Sequence, residues 1–249
     1  MRISYNNFVD AVSSGSIVAS SDMPNFEVIN LQNQRLAVKW GTDSTSSQTV
    51  VVTFPTASAY SITTAAILGH NIVSGTSVFV QAHTSNSWSS PAFSTALTVI
   101  EDGAILKFIT AQEYQYWRFL INQGDLEIGR VWLGDYIDIS PSSLLDFTVE
   151  KKRNDTVTYT PYRQKFASEG IGWRKIVLNY PPTSTSTLSL ISTMFDTVGN
   201  HTSIIFCNFD TVRDFELVEP LYCSINGDVS FKHTKNQKYS YTLELEEDL

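Results

Sequence analysis

The feature that most constrains this chain is strict alternation of side-chain type over short runs. In "YWRFLI", residues 116 to 121, Trp117, Phe119 and Ile121 fall on one side and Tyr116, Arg118 and Leu120 on the other. That is the period of a strand with one buried face. After the polar cluster Asn122, Gln123, Gly124 and Asp125, an extended run rich in branched and aromatic residues resumes from Leu126 to Leu133. The spacing predicts a hairpin over 116–139. Further short strands are expected at "TVVVTF" (49–54), "SITTAAIL" (61–68), "SVFVQAH" (77–83), "ALTVI" (96–100) and "AILKFI" (104–109), with turn clusters of Ser, Thr, Gly and Asn between them. No long amphipathic helix interrupts them, so a mainly β chain opening with an antiparallel sandwich or jelly roll is expected.

The pattern changes near "DISPSSLLDF", residues 138 to 147, where proline and serines follow the last strand. This marks a boundary between a domain of residues 1–140 and one of 141–249. In the second, "SLLDFTVEKK", "TVTYTPYRQKF" and "GIGWRKIVLNY" read as strands. A helix near 186–198 follows, with Leu188, Ile191, Phe195 and Val198 on one face and Gly199 placed to end it. Strands return in "TSIIFCNF", "DFELVEPLYCSI", "DVSFKH" and "KYSYTLELEE", and Asn226-Gly227 signals a hairpin. In the last strand Tyr239, Tyr241, Leu243 and Leu245 alternate with Ser240, Thr242, Glu244 and Glu246. Its acidic face is expected to meet water or a partner.

At 249 residues and 42% hydrophobic, the chain has enough apolar side chain for two cores. Its net charge of -8, with an acidic excess in both halves, disfavours nucleic-acid binding, which rewards clustered Lys and Arg. Lys151, Lys152 and Arg153 form a basic run, but Asn154 and Asp155 follow at once and read as a solvated turn. No apolar run approaches the roughly 20 residues of a membrane span, and the start lacks the basic and apolar blocks of a signal peptide. The expectation is therefore a cytoplasmic site of synthesis, with Cys207 and Cys223 as reduced, buried thiols.

Chemistry is sparse. His70, His83, His201 and His233 show no metal-ligand spacing, no Gly-x-Ser-x-Gly elbow is present, and the acidic pairs Glu101 with Asp102 and Asp125 with Glu127 lie at turns. No catalytic residue, metal or cofactor is expected. The sequons at Asn154 and Asn200 carry little weight without secretion. Aromatic residues in loops are the better lead: Trp40 precedes "GTDSTSSQ", and Trp88 sits in "HTSNSWSSP". An exposed indole there can stack on a sugar or a partner protein, whereas the alternative is that Trp88 folds back as a cap. The candidate glycan-binding set is Trp40, His70, Asn71, His83, Asn86 and Trp88.

"NLQNQRLAVKW", "TVVVTFP", "AAILGHNI", "SVFVQAH" and "YWRFLIN" with "EIGRVWLGD" together resemble the discoidin-like, coagulation-factor type C jelly rolls carried by virion proteins of tailed bacteriophages. The resemblance spans about residues 25–140. "GIGWRKIVLNY", the short helix and "YTLELEE" more loosely resemble the hub or tube-like barrel of phage distal tail and minor tail proteins. It implies a non-enzymatic virion protein at the tail tip, assembled in the host cytoplasm. Its implied partners are copies of itself, in a six-fold ring in preference to a three-fold one, the tail tube, and hub or fibre proteins. Trp173, Arg174, Tyr239, Tyr241, Glu244 and Glu246 are the ring-interface candidates. The alternatives are a glycan-binding module for host attachment and, last, a glycan-cleaving tail enzyme. Neither sequence-specific nucleic acid nor membrane insertion is expected.

Overall fold

The computed structural model describes residues 1–101, 103–139, 147–207, 220–235 and 238–249. The segment expected to divide the domains (140–146), Asp102 and the start of "DFELVEPLYCSI" lie outside the described residues. In chain order the first strands are β1 (Arg2–Asn7), β2 (Ile17–Ala19), β3 (Trp40–Gly41), β4 (Gln48–Thr53), β5 (Ile62–His70), β6 (Val78–His83), β7 (Phe93–Leu97), β8 (Ile105–Gln112), β9 (Tyr116–Ile121) and β10 (Glu127–Asp138). There follow β11 (Phe147–Arg153), β12 (Thr156–Tyr159), β13 (Lys165–Ser168), β14 (Gly172–Thr183), the helix α1 (Thr185–Val198), β15 (Ile204–Cys207), β16 (Leu221–Ile225), β17 (Ser230–Lys235) and β18 (Lys238–Glu247). The chain is mainly β with one α-helix, in two compact units. One holds Met1–Ile139, the described part of Ile204–Tyr222 and Leu249; the other holds the described part of Ser140–Ser203 and Cys223–Asp248.

The first unit is a sandwich of antiparallel sheets. In one, the order is β15, β1, β10, β5, β8, with β3 added to β10; in the other it is β2, β4, β9, β6, β7. Val50, Val52, Phe54, Val80, Trp117, Phe119 and Ile121 from the second sheet meet Ile67, Ile105, Val131 and Leu133 from the first in one apolar core. The burial of β9 alternates as its sequence requires. The seven residues Ile128 to Gly134 of β10, by contrast, are all buried.

This corrects the expected hairpin. β9 pairs with β4 and β6, placing Trp117 opposite Val52 and Ala82, whereas β10 pairs with β1, β3 and β5, placing Trp132 opposite Ala66. Residues 122–126 form an arch that carries the chain from one sheet to the other. Alternation tells which way a side chain faces, not which strand lies beside it. The bend uses a positive φ of 49° at Asp125, whose N–H donates to the Ser44 carbonyl at 2.9 Å. Asn71 fastens it, its Nδ2 donating to the Asp125 carbonyl at 2.9 Å and its Oδ1 accepting from the Glu127 N–H at 2.8 Å.

β10 is covered on its outer side by a second cluster, in which Ala66, Leu68, Leu106 and Trp132 meet Ile205, Cys207 and Tyr222. β15 lies along β1 with Ile3 opposite Phe206. A boundary at residue 140 puts residues 204–207 and 220–222 in the later domain, and the structure corrects this: all four residues of β15 are buried, and such a strand needs a sheet edge and cover on both faces. Arg130 lies within this layer at 1% exposure, paired with Asp10 and near the rings of Trp132 (5.5 Å) and Tyr222 (5.9 Å). The Trp132 Nε1 donates to Ser4 Oγ at 2.8 Å and the Tyr222 hydroxyl to the Gln34 carbonyl at 2.9 Å.

The second unit contains the sheet β11, β14, β18, β16, with β17 also on β18, and the separate ribbon β12–β13. It is an open sheet where a barrel was expected; among the described residues no pairing within the unit closes it. α1 begins at Ser184, whose Oγ accepts from the Thr187 N–H, and ends at Gly199 with φ 54°. Its buried stripe is Thr187, Ile191, Met194 and Val198, so Leu188 and Phe195 flank the face rather than forming it. Asn226-Gly227 makes no hairpin between β16 and β17. Ile225 opposes Leu245 and Ser230 opposes Thr242, so residues 226–229 bulge between two segments laid along the same side of β18, with Gly227 at φ 83°. "TVTYTPYRQKF" is not one strand but the ribbon and its turn, where Arg163 takes φ 61°.

Burial pushes the Asp10 carboxyl up to about 6, outweighing the opposing pull of Arg130 and Asn7. The folded chain then binds more protons than the unfolded one between about pH 4 and pH 6, so stability falls as pH rises through that window. Urea unfolding followed across it is expected to show this decline in the native protein and a flatter profile in Asp10→Asn.

Candidate functional site

The outward face of the second sheet is set by the same alternation that fills the core. Strand register places Arg118 of β9 between Val51 of β4 and Gln81 of β6, and Gln81 opposite Ser94 of β7. The next row holds Thr53, Tyr116 and His83. The guanidinium of Arg118 donates through Nε to Gln81 Oε1 at 2.9 Å and also through Nη2, while Gln81 Nε2 donates to Ser94 Oγ at 3.3 Å. Gln81 is 9% exposed, so the amide is a fixed anchor for the arginine.

The loop after β6 returns over this face. The Ser85 N–H donates to His83 Nδ1 at 3.0 Å, which turns the chain back beyond the strand end. Trp88 then lies with its ring 4.6 Å from the Arg118 guanidinium carbon, and its Nε1 donates to Asn86 Oδ1 at 2.7 Å. A cation held against an indole in this way contributes about 0.5 to 2 kcal/mol, depending on how far water is excluded. Burial lowers the proton affinity of Arg118, and no opposing cause acts on it. The result is a half-buried indole set on a charged base, on a sheet face that also carries the His83 imidazole, the Tyr116 phenol and the Gln81 amide.

The six glycan-binding candidates are not brought together. His83, Asn86 and Trp88 share this face. His70 and Asn71 stand where β5 ends and the chain turns toward the start of β6, at the opposite end of the sandwich from the β6–β7 loop, about a strand length of 17–20 Å away. There His70 Nδ1 accepts from the Ile72 N–H at 3.0 Å and Asn71 is committed to the arch. Trp40 is a correction: it is 0% exposed and belongs to the sandwich core, with Nε1 donating to Asp22 Oδ1 at 2.8 Å and the Ser21 carbonyl at 3.2 Å. Its bridge to Ile128 of β10 draws it inward, although the residues that follow are polar. Arg118, Gln81 and Tyr116 were missed as site residues; their available signal was shared outward parity on adjacent strands.

The ring-interface candidates all lie on β14 and β18 of the second unit. Arg174 donates to both carboxylate oxygens of Glu247, at 3.0 and 2.5 Å. Glu244 meets Lys175 Nζ at 2.6 Å, and Glu246 accepts from Asn226 Nδ2 at 2.7 Å. Tyr241 is a second correction. It is 3% exposed and stacked on Tyr180 at 4.3 Å, and burial raises its hydroxyl pKa, so it is core rather than rim. Trp173 and Tyr239 are half-buried, the latter edge-on to His233 at 5.1 Å.

Among the described residues, no group of three or more His, Cys, Asp or Glu is placed to hold a metal ion, and no helix is long and apolar enough to cross a membrane. The sequence matches no protein-family model and no curated protein. The structure is similar over part of its length to three solved carbohydrate-binding structures. The lectin domain of lectinolysin, complexed with Lewis B antigen, aligns with a TM-score of 0.41 and 9% identity over 51% of this chain and 95% of that one. A fucose-binding module of Streptococcus pneumoniae gives 0.42 and 10% over 52% and 95%. Chitosan-binding module 1 of a chitosanase/glucanase from Paenibacillus sp. IK-5 gives 0.40 and 16% over 52% and 98%.

Proposed function

We propose that the first unit is a non-catalytic glycan-binding module whose site is the outward face of the β4, β9, β6, β7 sheet. The observation that carries this is the indole of Trp88, held on Arg118 and bonded to Asn86, over a face whose rows also present Gln81, His83 and Tyr116. Sugar rings offer C–H faces that stack on an indole and hydroxyls that bond to amide, imidazole and guanidinium groups. The rows Val51, Arg118, Gln81, Ser94 and Thr53, Tyr116, His83 contain no Asp or Glu. Cleavage of a glycosidic bond ordinarily takes two flanking carboxyl groups, so this face favours holding over cutting. On a glycan array followed by calorimetry, Trp88→Ala is expected to weaken the bound glycan by roughly tenfold or more. Undiminished binding by a folded Trp88→Ala protein overturns the reading.

A second reading, compatible with the first, is a structural subunit that assembles with copies of itself, as at a phage tail tip. The observation favouring it is the ribbon β12–β13, whose eight residues are all exposed. Val157 (42%), Tyr159 (67%), Phe166 (57%), the turn residue Tyr162 (91%) and the nearby Ile171 (66%) are left to solvent. Val157 and Tyr159 pair with Ala167 and Lys165 on one face, and Phe166 pairs with Thr158 on the other. Apolar groups on both faces suit insertion into an assembly, and bare ribbon edges invite a further strand. Residues 147–171 carry Lys151, Lys152, Arg153, Arg163 and Lys165 against Glu150, Asp155 and Glu169, with Lys152 and Arg153 paired inside the segment, and the remaining basic excess in a chain of net charge -8 favours docking on an acidic copy of the same chain. Native mass spectrometry over rising concentration is expected to show one defined oligomer, reduced to monomer in Tyr159→Ser/Tyr162→Ser/Phe166→Ser. A chain that stays monomeric throughout refutes self-assembly; an oligomer indifferent to the triple substitution refutes only the ribbon's part in it.

A further inference from the structure

We infer that the Trp88–Arg118 face selects an acidic sugar, one that carries a carboxylate or sulfate group next to the ring stacked on Trp88. This rests on the glycan-binding reading and names the class of glycan. Among the described residues four arginines are buried or half-buried: Arg2, Arg118, Arg130 and Arg174. Three of them meet a carboxylate, Arg2 at Asp138, Arg130 at Asp10 and Arg174 at Glu247. Arg118 makes no ion pair among the described residues; its acceptor is the neutral Gln81 amide.

A guanidinium partly removed from water loses hydration that a neutral amide replaces only in part. Among the described residues this is the one buried or half-buried arginine without a carboxylate beside it, which makes it a receptor for an anion from outside. Its geometry fits that use. Nε and Nη2 are turned to Gln81, while Nη1 makes no hydrogen bond among the described residues. His83 stands in the next row of the same face, opposite Tyr116, with its Nδ1 engaged by Ser85, 3.0 Å from the N–H and 3.1 Å from the carbonyl, so the guanidinium is the charged donor of this face. Charge-assisted bonds from such donors are about twice as strong as neutral ones, and the adjacent indole supplies the stacking surface that distinguishes a sugar acid from a free anion.

Calorimetry on the full chain with three matched oligosaccharides, a uronic-acid oligomer, a sulfated galactose oligomer and a neutral galactose oligomer, tests the inference, with inorganic sulfate alone as a fourth probe. One acidic oligomer is expected to bind roughly tenfold or more tightly than the neutral one, and to weaken as salt rises from about 50 to about 300 mM. Arg118→Gln should abolish that preference, while Arg118→Lys should retain part of it by keeping the charge without the fork. Preference for the uronate or for the sulfate ester supports the inference and identifies the group. Equal binding of neutral and acidic oligomers overturns it while leaving glycan binding intact. Sulfate ion binding as tightly as the sulfated oligomer also overturns it, and absence of binding to any oligosaccharide removes both readings.

Discussion

The first unit depends on β10 being covered on both faces. A strand with one wet face can sit at the surface of a two-layer sandwich, but Ile128 to Gly134 are buried without a break. One side is closed by the second sheet across Val131 and Leu133, the other by a separate layer around Trp132. That outer layer then has to accommodate Arg130, which is possible only because Asp10 brings a carboxylate and the Gln32 carbonyl accepts a further bond at 3.4 Å. The recruitment of β15 and Tyr222 from far along the chain follows from the same need: without them Leu106 and Trp132 would present apolar surface to water.

Much of the architecture was legible because burial on one side writes a period of two into a strand. Val50, Val52, Trp117, Phe119 and Ile121 point inward as their alternation requires, and α1 begins at Ser184 and ends at Gly199, close to where capping chemistry sets its limits. Partnership was not legible. The residues from Tyr116 to Asp138 look like a hairpin because two extended runs flank a polar turn, yet the same pattern serves an arch between sheets. Asn226-Gly227 has the backbone freedom of a hairpin turn, and that freedom is spent on a bulge, because β18 is long enough to take β16 and β17 end to end. The continuous burial of β10 was a sign of a strand with neighbours on both faces, but sequence alone does not say which segments supply them.

The candidate site was half legible. Trp88 stood out because nothing near it in the chain offers an apolar partner, and its partner is Arg118, 30 residues later. The register of β6 on β9 and the return of the loop after β6 bring them together, and register is a property of the sheet. The strand that carries Arg118 also drives Trp117 and Phe119 into the core, each at 0% exposure. Packing on one face therefore fixes the position of charge on the other, a rigidity that a loop-borne arginine would lack. Trp40 shows the converse error: a polar sequence neighbourhood says little about a side chain when its backbone pairs with the most deeply buried strand.

The return of residues 204–207 and 220–222 to the first unit has a consequence in time. A ribosome adds about 5 to 20 residues per second, so on the order of ten seconds separate the emergence of Ile139 from that of Tyr222. Through that interval β1 is a sheet edge without β15, and the outer side of Trp132 has yet to receive Tyr222. The inner sandwich core, by contrast, is drawn entirely from residues already made. The two faces of β10 thus close at different moments of synthesis, and the second unit's first strands emerge before the first unit is finished.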